Sequence, residues 1–237
     1  MVPEEIRTQI LSNIVTWRNA CPLWTEYNDL NMDKIIDMKE LGYFTLTEPF
    51  MRRYKDVLNW FRILVRQKLS EDFLLEIKDY LDWERVCLFQ TLSEEFIIEN
   101  KDLVNFSCVS YKQKLSESFI EQYKDLLDWE SLSDRQDLSE SFIRKFQDKL
   151  NWTSISRSSK LSESFIREFE NKVDWNWVSK SQELSESFIR KFQDKLNWKY
   201  VAIYQDLDPQ FISDFRHKID IEDLLDGKNA FWSNWLN

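Results

Sequence analysis

The sequence is poor in the residues on which nucleotide-binding loops, metal sites and catalytic triads depend. It has two glycines, one histidine and three cysteines in 237 residues. A dinucleotide fingerprint and a phosphate-binding P-loop both need several glycines close together, so both motifs are excluded. The single imidazole, His217, argues against a Ser-His-Asp triad and excludes a His-rich zinc site, and the cysteines lack zinc-ligand spacing. We therefore expect no cofactor, no bound metal and no enzymatic activity.

Basic side chains are outnumbered, with 32 against 42 acidic ones and a formal net charge of -10. Sequence-independent binding to nucleic acid depends on Lys and Arg, which displace counterions from phosphates, so we expect no direct nucleic-acid partner. Long apolar runs are also missing, and the start, MVPEEIRTQILSNIVTW, contains two acids, so we expect neither a signal peptide nor a membrane span. An odd number of irregularly spaced cysteines is typical of a reducing compartment. The expected location is the cytoplasm, including that of a host cell.

What the sequence does have is a period of 23 residues. A leucine recurs every 23 residues from Leu46 to Leu207, and a phenylalanine follows each leucine four residues later, from Phe50 to Phe211. Eight consecutive repeats without insertion span residues 46–229, and LSESFIRKFQDKLNW occurs unchanged at 138–152 and 184–198. This self-similarity indicates duplication and is the signature of a repeat architecture. Positions within each repeat are numbered from 1, the leucine, to 23.

Each repeat carries two signals for the start of a helix. Position 2 is Ser in six repeats, Thr47 in the first and Asp208 in the last, and all three residue types cap helix N-termini. Apolar residues such as Phe142, Ile143 and Phe146 then fall on one face of a helix, which we term helix A. Position 14 is Asn or Asp in every repeat and introduces helix B, whose inner face holds positions 15, 18, 19 and 22. We expect about three turns for helix A and about two for helix B.

Neither helix is long enough to be stable alone, because isolated helices below about 12–15 residues are marginal in water. Burial of their apolar faces therefore requires the stacking of neighbouring repeats. The sequence predicts an all-α fold, an α-solenoid of eight 23-residue two-helix repeats at 46–229. We expect helical caps at both ends, an N-terminal cap at 1–45 and a C-terminal capping tail at 230–237. Gly227 offers a helix stop before that tail.

The repeat L-S-E-x-F-I-x-x-F-x-D-K-h-N/D-W-x-x-h-S-x-x-Q, in which h is apolar, resembles tandem repeats in proteins of large DNA viruses that infect protists and of some bacteriophages. The resemblance covers residues 46–206 and rests on the Leu-Ser-Glu, Phe-Ile and Trp positions. It is weaker at 46–68, where Pro49 and Met51 depart from the pattern. The resemblance implies a viral helical-repeat protein and brings no activity with it.

Three rows of recurring residues have both a structural and a functional interpretation. The Trp row at position 15 is compatible with a base-stacking platform or an aromatic cage, but it shares a stripe with aliphatic residues, so we expect core packing. The Gln row at position 22 lies at the edge of that stripe, and we expect a structural ladder of amides bonded to the backbone of the next repeat. The Ser-Glu pairs recur too regularly for one catalytic constellation, and helix capping accounts for them.

Function in a solenoid is expected where the copies differ on exposed faces. The outward side of helix B should carry positions 16, 17, 20 and 21, and exposed aromatics with interspersed cations are enriched in protein-binding hot spots. Two patches of this kind flank a plain middle that contains residues such as Glu130, Asp134, Thr153 and Arg157. The candidate partner-binding residues are Phe61, Arg62, Leu88, Tyr111, Trp177, Lys180, Tyr200, Ile203 and Tyr204.

The charge differs between repeats, with six basic and two acidic residues in 46–68 against two basic and seven acidic in 115–137. Such a field favours a shaped protein partner over a uniform polyanion. The leading hypothesis is therefore a non-enzymatic scaffold or adaptor that binds or sequesters a protein, with a viral protein acting on a host factor as its specific form. Two alternatives are an acidic mimic of nucleic acid that inhibits a DNA- or RNA-binding protein, and a structural component of a virus particle.

Overall fold

Short α-helices alternate regularly along the chain. The structure, a computed structural model, describes residues 46–228 except Tyr54 and Val57. These residues form sixteen α-helices and one 3-10 helix, Lys78–Tyr80, without a strand. The helix A copies are α1 Glu48–Arg53, α3 Glu71–Glu76, α5 Glu94–Glu99, α7 Glu117–Gln122, α9 Glu140–Lys145, α11 Glu163–Glu168, α13 Glu186–Lys191 and α15 Pro209–Asp214. The helix B copies are α2 Trp60–Arg66, α4 Trp83–Phe89, α6 Phe106–Lys112, α8 Trp129–Arg135, α10 Trp152–Ser158, α12 Trp175–Ser181, α14 Trp198–Tyr204 and α16 Ile221–Leu225.

The chain divides into two compact units, Met1–Asn105 and Phe106–Asn237. In the first unit α2 packs on α4, and in the second α6, α8, α10, α12, α14 and α16 pack each on the next. The predicted all-α fold of stacked two-helix repeats, the α-solenoid class, is thereby confirmed. The predicted caps at 1–45 and 230–237 lie outside the described residues. None of the helices described is long and apolar enough to cross a membrane.

Helix A begins where the sequence predicts, because the side chain at position 2 caps it. The Phe142 N–H donates to Ser139 Oγ at 3.2 Å, which satisfies one of the backbone donors left over at a helix start. The Glu at position 3 also bonds the following repeat, since Glu140 Oε1 accepts from the Ser162 N–H at 2.6 Å. Five further pairs make the same bond: Glu48 with Ser70, Glu71 with Ser93, Glu117 with Ser139, Glu163 with Ser185, and Glu186 with Asp208.

Helix A is shorter than predicted, with six residues in every described copy instead of three turns. To reach position 14, the helix would need a bond from the Asn151 N–H to the Gln147 carbonyl oxygen. Trp152 Nε1 instead donates to that carbonyl at 2.9 Å, and the Asn151 N–H donates to Ser133 Oγ of the preceding repeat at 2.9 Å. Because both partners are taken, the chain turns and helix B begins. Helix B has the predicted two turns, with seven residues in α10.

The core lies between successive repeats. Phe165 and Ile166, at positions 5 and 6, are both 0% exposed. The Trp152 ring of the preceding repeat lies 6.2 Å from the Phe165 ring and 4.9 Å from that of Phe169, measured between centroids. Lys172 Nζ is 5.8 Å from the Trp152 ring centroid, a cation–π contact that covers the half-buried indole. The rings of the Trp row join one repeat to the next, as the predicted packing role requires, although most of them are half-buried and not fully in the core.

The Gln row forms a ladder between repeats, as predicted, but its amides bond the preceding repeat and not the next one. Gln182 Oε1 accepts from the Leu161 N–H at 2.9 Å, and Gln182 Nε2 donates to the carbonyls of Ser156 at 2.9 Å and Ser159 at 2.8 Å in the preceding repeat. The equivalent three bonds are made by Gln90, Gln136 and Gln205. Each buried amide thus satisfies three backbone groups that would otherwise lack partners.

The repeat at 138–160 interrupts this ladder, because its position 22 is Ser159. The residue is 6% exposed, and its hydroxyl has no hydrogen-bond partner within the described part of the chain. The register of the other repeats shows what a Gln would do at this position. It would accept from the Leu138 N–H and donate to the carbonyls of Ser133 and Gln136.

Replacing Ser159 by Gln is therefore expected to stabilise the second unit by about 1.5–4.5 kcal/mol, since it adds three hydrogen bonds that each contribute about 0.5–1.5 kcal/mol net. Urea denaturation of the wild type and of Ser159→Gln measures the free energy of unfolding. Ser159→Ala is the control, because it removes the unpartnered hydroxyl without supplying an amide. A Ser159→Gln variant no more stable than Ser159→Ala would contradict the ladder as a source of stability.

Candidate protein-binding surface

The helix B copies turn positions 17 and 20 away from the packed stripe. In α12, Val178 and Ser179 are 0% exposed, whereas Trp177 and Lys180 are only half-buried. The rotation of α12 is set at its start, where the Asp174 carboxylate accepts from the Trp177 N–H at 3.3 Å. The cap and the buried stripe together present Trp177 and Lys180 on the outer side, as the register predicts.

In the first unit, the predicted residue Phe61 is 46% exposed, and two residues of α4 outside the predicted set contact its ring. The Arg85 guanidinium carbon lies 4.0 Å from the Phe61 ring centroid, and the Phe89 ring meets the same ring edge-on at 6.1 Å. Arg62 follows Phe61 in α2, and Leu88 precedes Phe89 in α4. Both side chains are half-buried. Arg85 is absent from the predicted set although it occupies position 17, one of the outward positions.

In the second unit, Tyr111 begins a line of contacts across successive helix B copies. Arg135 Nη2 donates to the Tyr111 hydroxyl at 2.9 Å, and its guanidinium carbon lies 4.5 Å from the ring centroid. Asp134 lies 3.0 Å from Arg135 Nε and also pairs with Arg157 of the next repeat. Burial alone would raise the pKa of Asp134, but the hydrogen bond and charge of Arg157 and the charge of Arg135 hold it below its ordinary value. The carboxylate therefore stays ionised at neutral pH and joins two repeats.

Four side chains on α12 and α14 form the aromatic cluster, which we define as Trp177, Lys180, Tyr200 and Tyr204. Lys180 Nζ lies 5.1 Å, 5.7 Å and 5.5 Å from the ring centroids of Trp177, Tyr200 and Tyr204 respectively. The two tyrosine rings are 6.0 Å apart, and the Arg157 guanidinium carbon is 5.4 Å from the Trp177 ring. The structure thus brings together four of the predicted residues, with three rings around the ammonium group of the fourth.

The middle repeats are not plain, because Asp134, Arg135 and Arg157 connect Tyr111 with the aromatic cluster. A signal for this connection is present in the sequence. Asp134 and Arg157 occupy position 20 of adjacent repeats, so opposite charges stand one period apart. In a stack whose neighbours touch, residues one period apart lie side by side.

Ile203 differs from the other candidates, because its backbone takes part in the contact with the last repeat. Its carbonyl oxygen accepts from the Lys228 N–H at 3.0 Å, and a Cβ on Gly227 would lie 2.3 Å from the same oxygen. Gly227 has no positive φ, and α16 already ends at Leu225. The helix thus stops just before Gly227, as the sequence predicts, and the glycine also permits a close approach of two backbones.

Acidic side chains on the helix A copies are paired with cations of adjacent repeats. Arg144 lies 2.8 Å from Glu168, and Arg190 lies 2.7 Å from Asp214. The hydrogen bond from Arg144 lowers the pKa of Glu168, and that from Arg190 lowers the pKa of Asp214. Because these pairs are exposed, each contributes little stability, but they offset much of the negative charge on this face.

No protein-family model, curated protein or solved structure matches the chain. Within the described residues, no three His, Cys, Asp or Glu side chains are grouped as ligands for a metal ion. The relationship to viral repeat proteins stays a prediction. The candidate functional surface is the aromatic cluster together with the contacts that connect it to Tyr111.

Proposed function

We propose that the protein is a non-enzymatic helical-repeat scaffold that binds another protein through the outer side of its helix B copies. The observation that carries this proposal is the aromatic cluster. Trp177, Tyr200 and Tyr204 remain partly exposed around Lys180 and lie outside the recurring Trp row, whose half-buried Trp152 packs on Phe165 of the next repeat. The few residues that dominate the binding free energy at protein interfaces are enriched in Trp, Tyr and Arg.

The cluster stands on ordered elements. Asp174 caps α12 and Asn197 caps α14 through hydrogen bonds to backbone N–H groups. Lys180 contacts rings on both helices, so the side chains of two repeats are held in one arrangement. Side chains that are already ordered lose less conformational entropy when a partner binds. This order supports a preformed binding surface.

The charge distribution supports protein binding over mimicry of nucleic acid. A mimic needs carboxylates that are free to replace phosphates in a basic groove. In this protein Glu168 and Asp214 are paired with arginines of neighbouring repeats, and Asp148 lies 2.9 Å from Lys172. The more specific role, a viral protein that sequesters a host factor, rests on the resemblance of the repeat alone.

A double variant, Trp177→Ala/Tyr200→Ala, should lose the proteins that the wild type captures from a lysate of its own cells. Each truncation at a hot spot costs about 2 kcal/mol or more in binding free energy, so capture should fall at least about tenfold. The readout is quantitative mass spectrometry of the captured proteins, with circular dichroism to verify that the variant is folded.

The matched control is Tyr80→Ala/Leu126→Ala, which removes two side chains that are 38% and 50% exposed in the A-to-B connections. This control should capture the same proteins as the wild type. Identical protein sets for the wild type and for the Trp177→Ala/Tyr200→Ala variant would show that the helix B surface is not the binding site.

A further inference from the structure

Three consecutive helix B copies, α10, α12 and α14, contain no acidic residue, although the chain has 42 acids. Their sequences are WTSISRS, WNWVSKS and WKYVAIY, and their cations are Arg157, Lys180 and Lys199. These helices pack each on the next in the second unit. They therefore form a local basic and aromatic surface on an acidic protein.

The acidic groups that face this surface determine which cation is available. Arg157 and Arg135 share the single carboxylate of Asp134, and Lys199 Nζ lies 3.4 Å from an Asp223 oxygen. Lys180 has no acidic partner in the part of the chain that the structure describes, and its ammonium group contacts only aromatic rings. The cluster therefore holds a cation without a counter-charge, next to a group of three with one net positive charge.

We propose that the aromatic cluster binds an acidic, extended peptide segment of the partner protein, with a carboxylate of that segment paired to Lys180. This inference rests on the proposed protein-binding function and names the chemical class of the ligand. The ammonium group is a donor in three directions, and the hydroxyls of Tyr200 and Tyr204 are further donors for a carboxylate. The Trp177 ring and the two tyrosine rings offer apolar contact to the neighbouring residues of the segment.

The distance between neighbouring helix B copies sets the spacing of acidic residues in the peptide that would bind them. Packed helix axes lie about 8–10 Å apart, and an extended chain of the polyproline II type advances about 3.1 Å per residue with three residues per turn, so every third side chain points the same way. Acidic residues at every third position of an extended segment would therefore meet successive helices. In this arrangement one acid pairs with Lys180, and a second reaches the Arg135, Asp134 and Arg157 group beside Trp177.

The test uses the full-length protein and fluorescence anisotropy of a labelled peptide of four Val-Ser-Glu units. The matched probe replaces every Glu by Gln, and poly-uridylate is the competitor that represents single-stranded nucleic acid. Lys180→Gln is the site variant. Lys160→Gln is the control, since it removes one cation from an exposed position of the same unit that lies outside the cluster.

The wild type should bind the Glu peptide at least about tenfold more tightly than the Gln peptide, the difference expected for a charge-assisted hydrogen bond. Lys180→Gln should lose about tenfold in affinity, whereas Lys160→Gln should lose less than about twofold. Affinity for the Glu peptide should also fall as salt is added.

Equal binding of the Glu and Gln peptides would overturn the acidic class, and so would unchanged binding by Lys180→Gln. Displacement of the Glu peptide by poly-uridylate at lower concentrations than by unlabelled Glu peptide would show a nucleic-acid surface instead. Failure of both peptides to bind would also overturn the inference. The proposed protein-binding function is judged separately, by loss of captured proteins in the Trp177→Ala/Tyr200→Ala variant.

Discussion

Deletion of one whole repeat, residues 161–183, should leave a shorter protein that still folds. The deletion joins Lys160 to Leu184 and keeps the 23-residue register. Gln205 would then accept from the Leu184 N–H, as it does now at 3.0 Å, and donate to the carbonyls of Ser156 and Ser159. Those two carbonyls are the present partners of Gln182, so the ladder closes with the same groups.

The other contacts between repeats close in the same way. The Trp152 ring would stack on Phe188 in place of Phe165, and Glu140 would accept from the Ser185 N–H in place of the Ser162 N–H. Because stability in such arrays is approximately a sum over repeats and their interfaces, we expect lower stability with unchanged cooperativity.

Deletion of residues 161–171 alone should abolish the folded second unit. This shorter deletion removes α11 and leaves α10 and α12 in direct succession. Trp152 would then lose Phe165 and Phe169, and the capped start of the repeat would be missing. The loss of α11 would expose the apolar face of α10 that now packs on it, and a stack with this face exposed is not stable.

Far-UV circular dichroism and thermal denaturation distinguish the two deletions. The 23-residue deletion should retain the helical signal per residue and a single transition. The eleven-residue deletion should lose much of that signal and the sharp transition. Equal damage from both deletions would mean that register between repeats does not hold the fold together.

Gln182→Ser should lower the free energy of unfolding by about 3–6 kcal/mol. The substitution removes the acceptor of the Leu161 N–H and the donor to two carbonyls, and each buried backbone group left unsatisfied costs about 1–3 kcal/mol. Gln182 is only 4% exposed, so water does not readily replace the amide. The resulting repeat would have the same residue at position 22 as its neighbour, where Ser159 stands.

Urea denaturation of the wild type and Gln182→Ser gives the difference in free energy of unfolding. Gln122→Ser is the matched control, since it makes the same chemical change at an exposed position of α7. Its effect should stay within about 0.5 kcal/mol, as is usual for surface substitutions. A loss at Gln182 no larger than the loss at Gln122 would show that the ladder contributes nothing.

Sequence patterns predict the helix starts well, because the cap is a local interaction. Ser139 and Asn151 each bond an N–H three residues ahead, and these short-range bonds can be inferred from residue type and spacing. The end of helix A could not be predicted in this way. It involves Trp152 Nε1, which bonds the Gln147 carbonyl of its own repeat, and Ser133 of the preceding repeat, which meets Asn151 only after the repeats have stacked.

In the candidate site, too, local features can be predicted from the sequence and contacts between repeats cannot. The outward placement of Trp177 and Lys180 follows from helical register, so the sequence predicts it. The grouping of Lys180 with Tyr200 depends on how α12 lies beside α14, which no local pattern specifies. The contact between Asp134 and Arg157 also depends on how two helices lie side by side. In this case the sequence gives a hint, because both residues occupy position 20 of adjacent repeats.

The identical segments at 138–152 and 184–198 end at the first residue of helix B. Each segment contains both helix caps, helix A (α9 or α13), the turn that follows it, and the Trp whose Nε1 donates to a carbonyl of that turn. The two repeats differ only in the residues after that Trp. The surface chemistry of each repeat is thus encoded after the Trp, at positions interleaved with the buried positions 18, 19 and 22. A designer could transplant positions 16, 17, 20 and 21 of α14 onto α10 while keeping Ile155 and Ser156 for the stack. The outward residues of the seven-residue helix B can then be exchanged between repeats, so the aromatic surface can be placed on any chosen repeat.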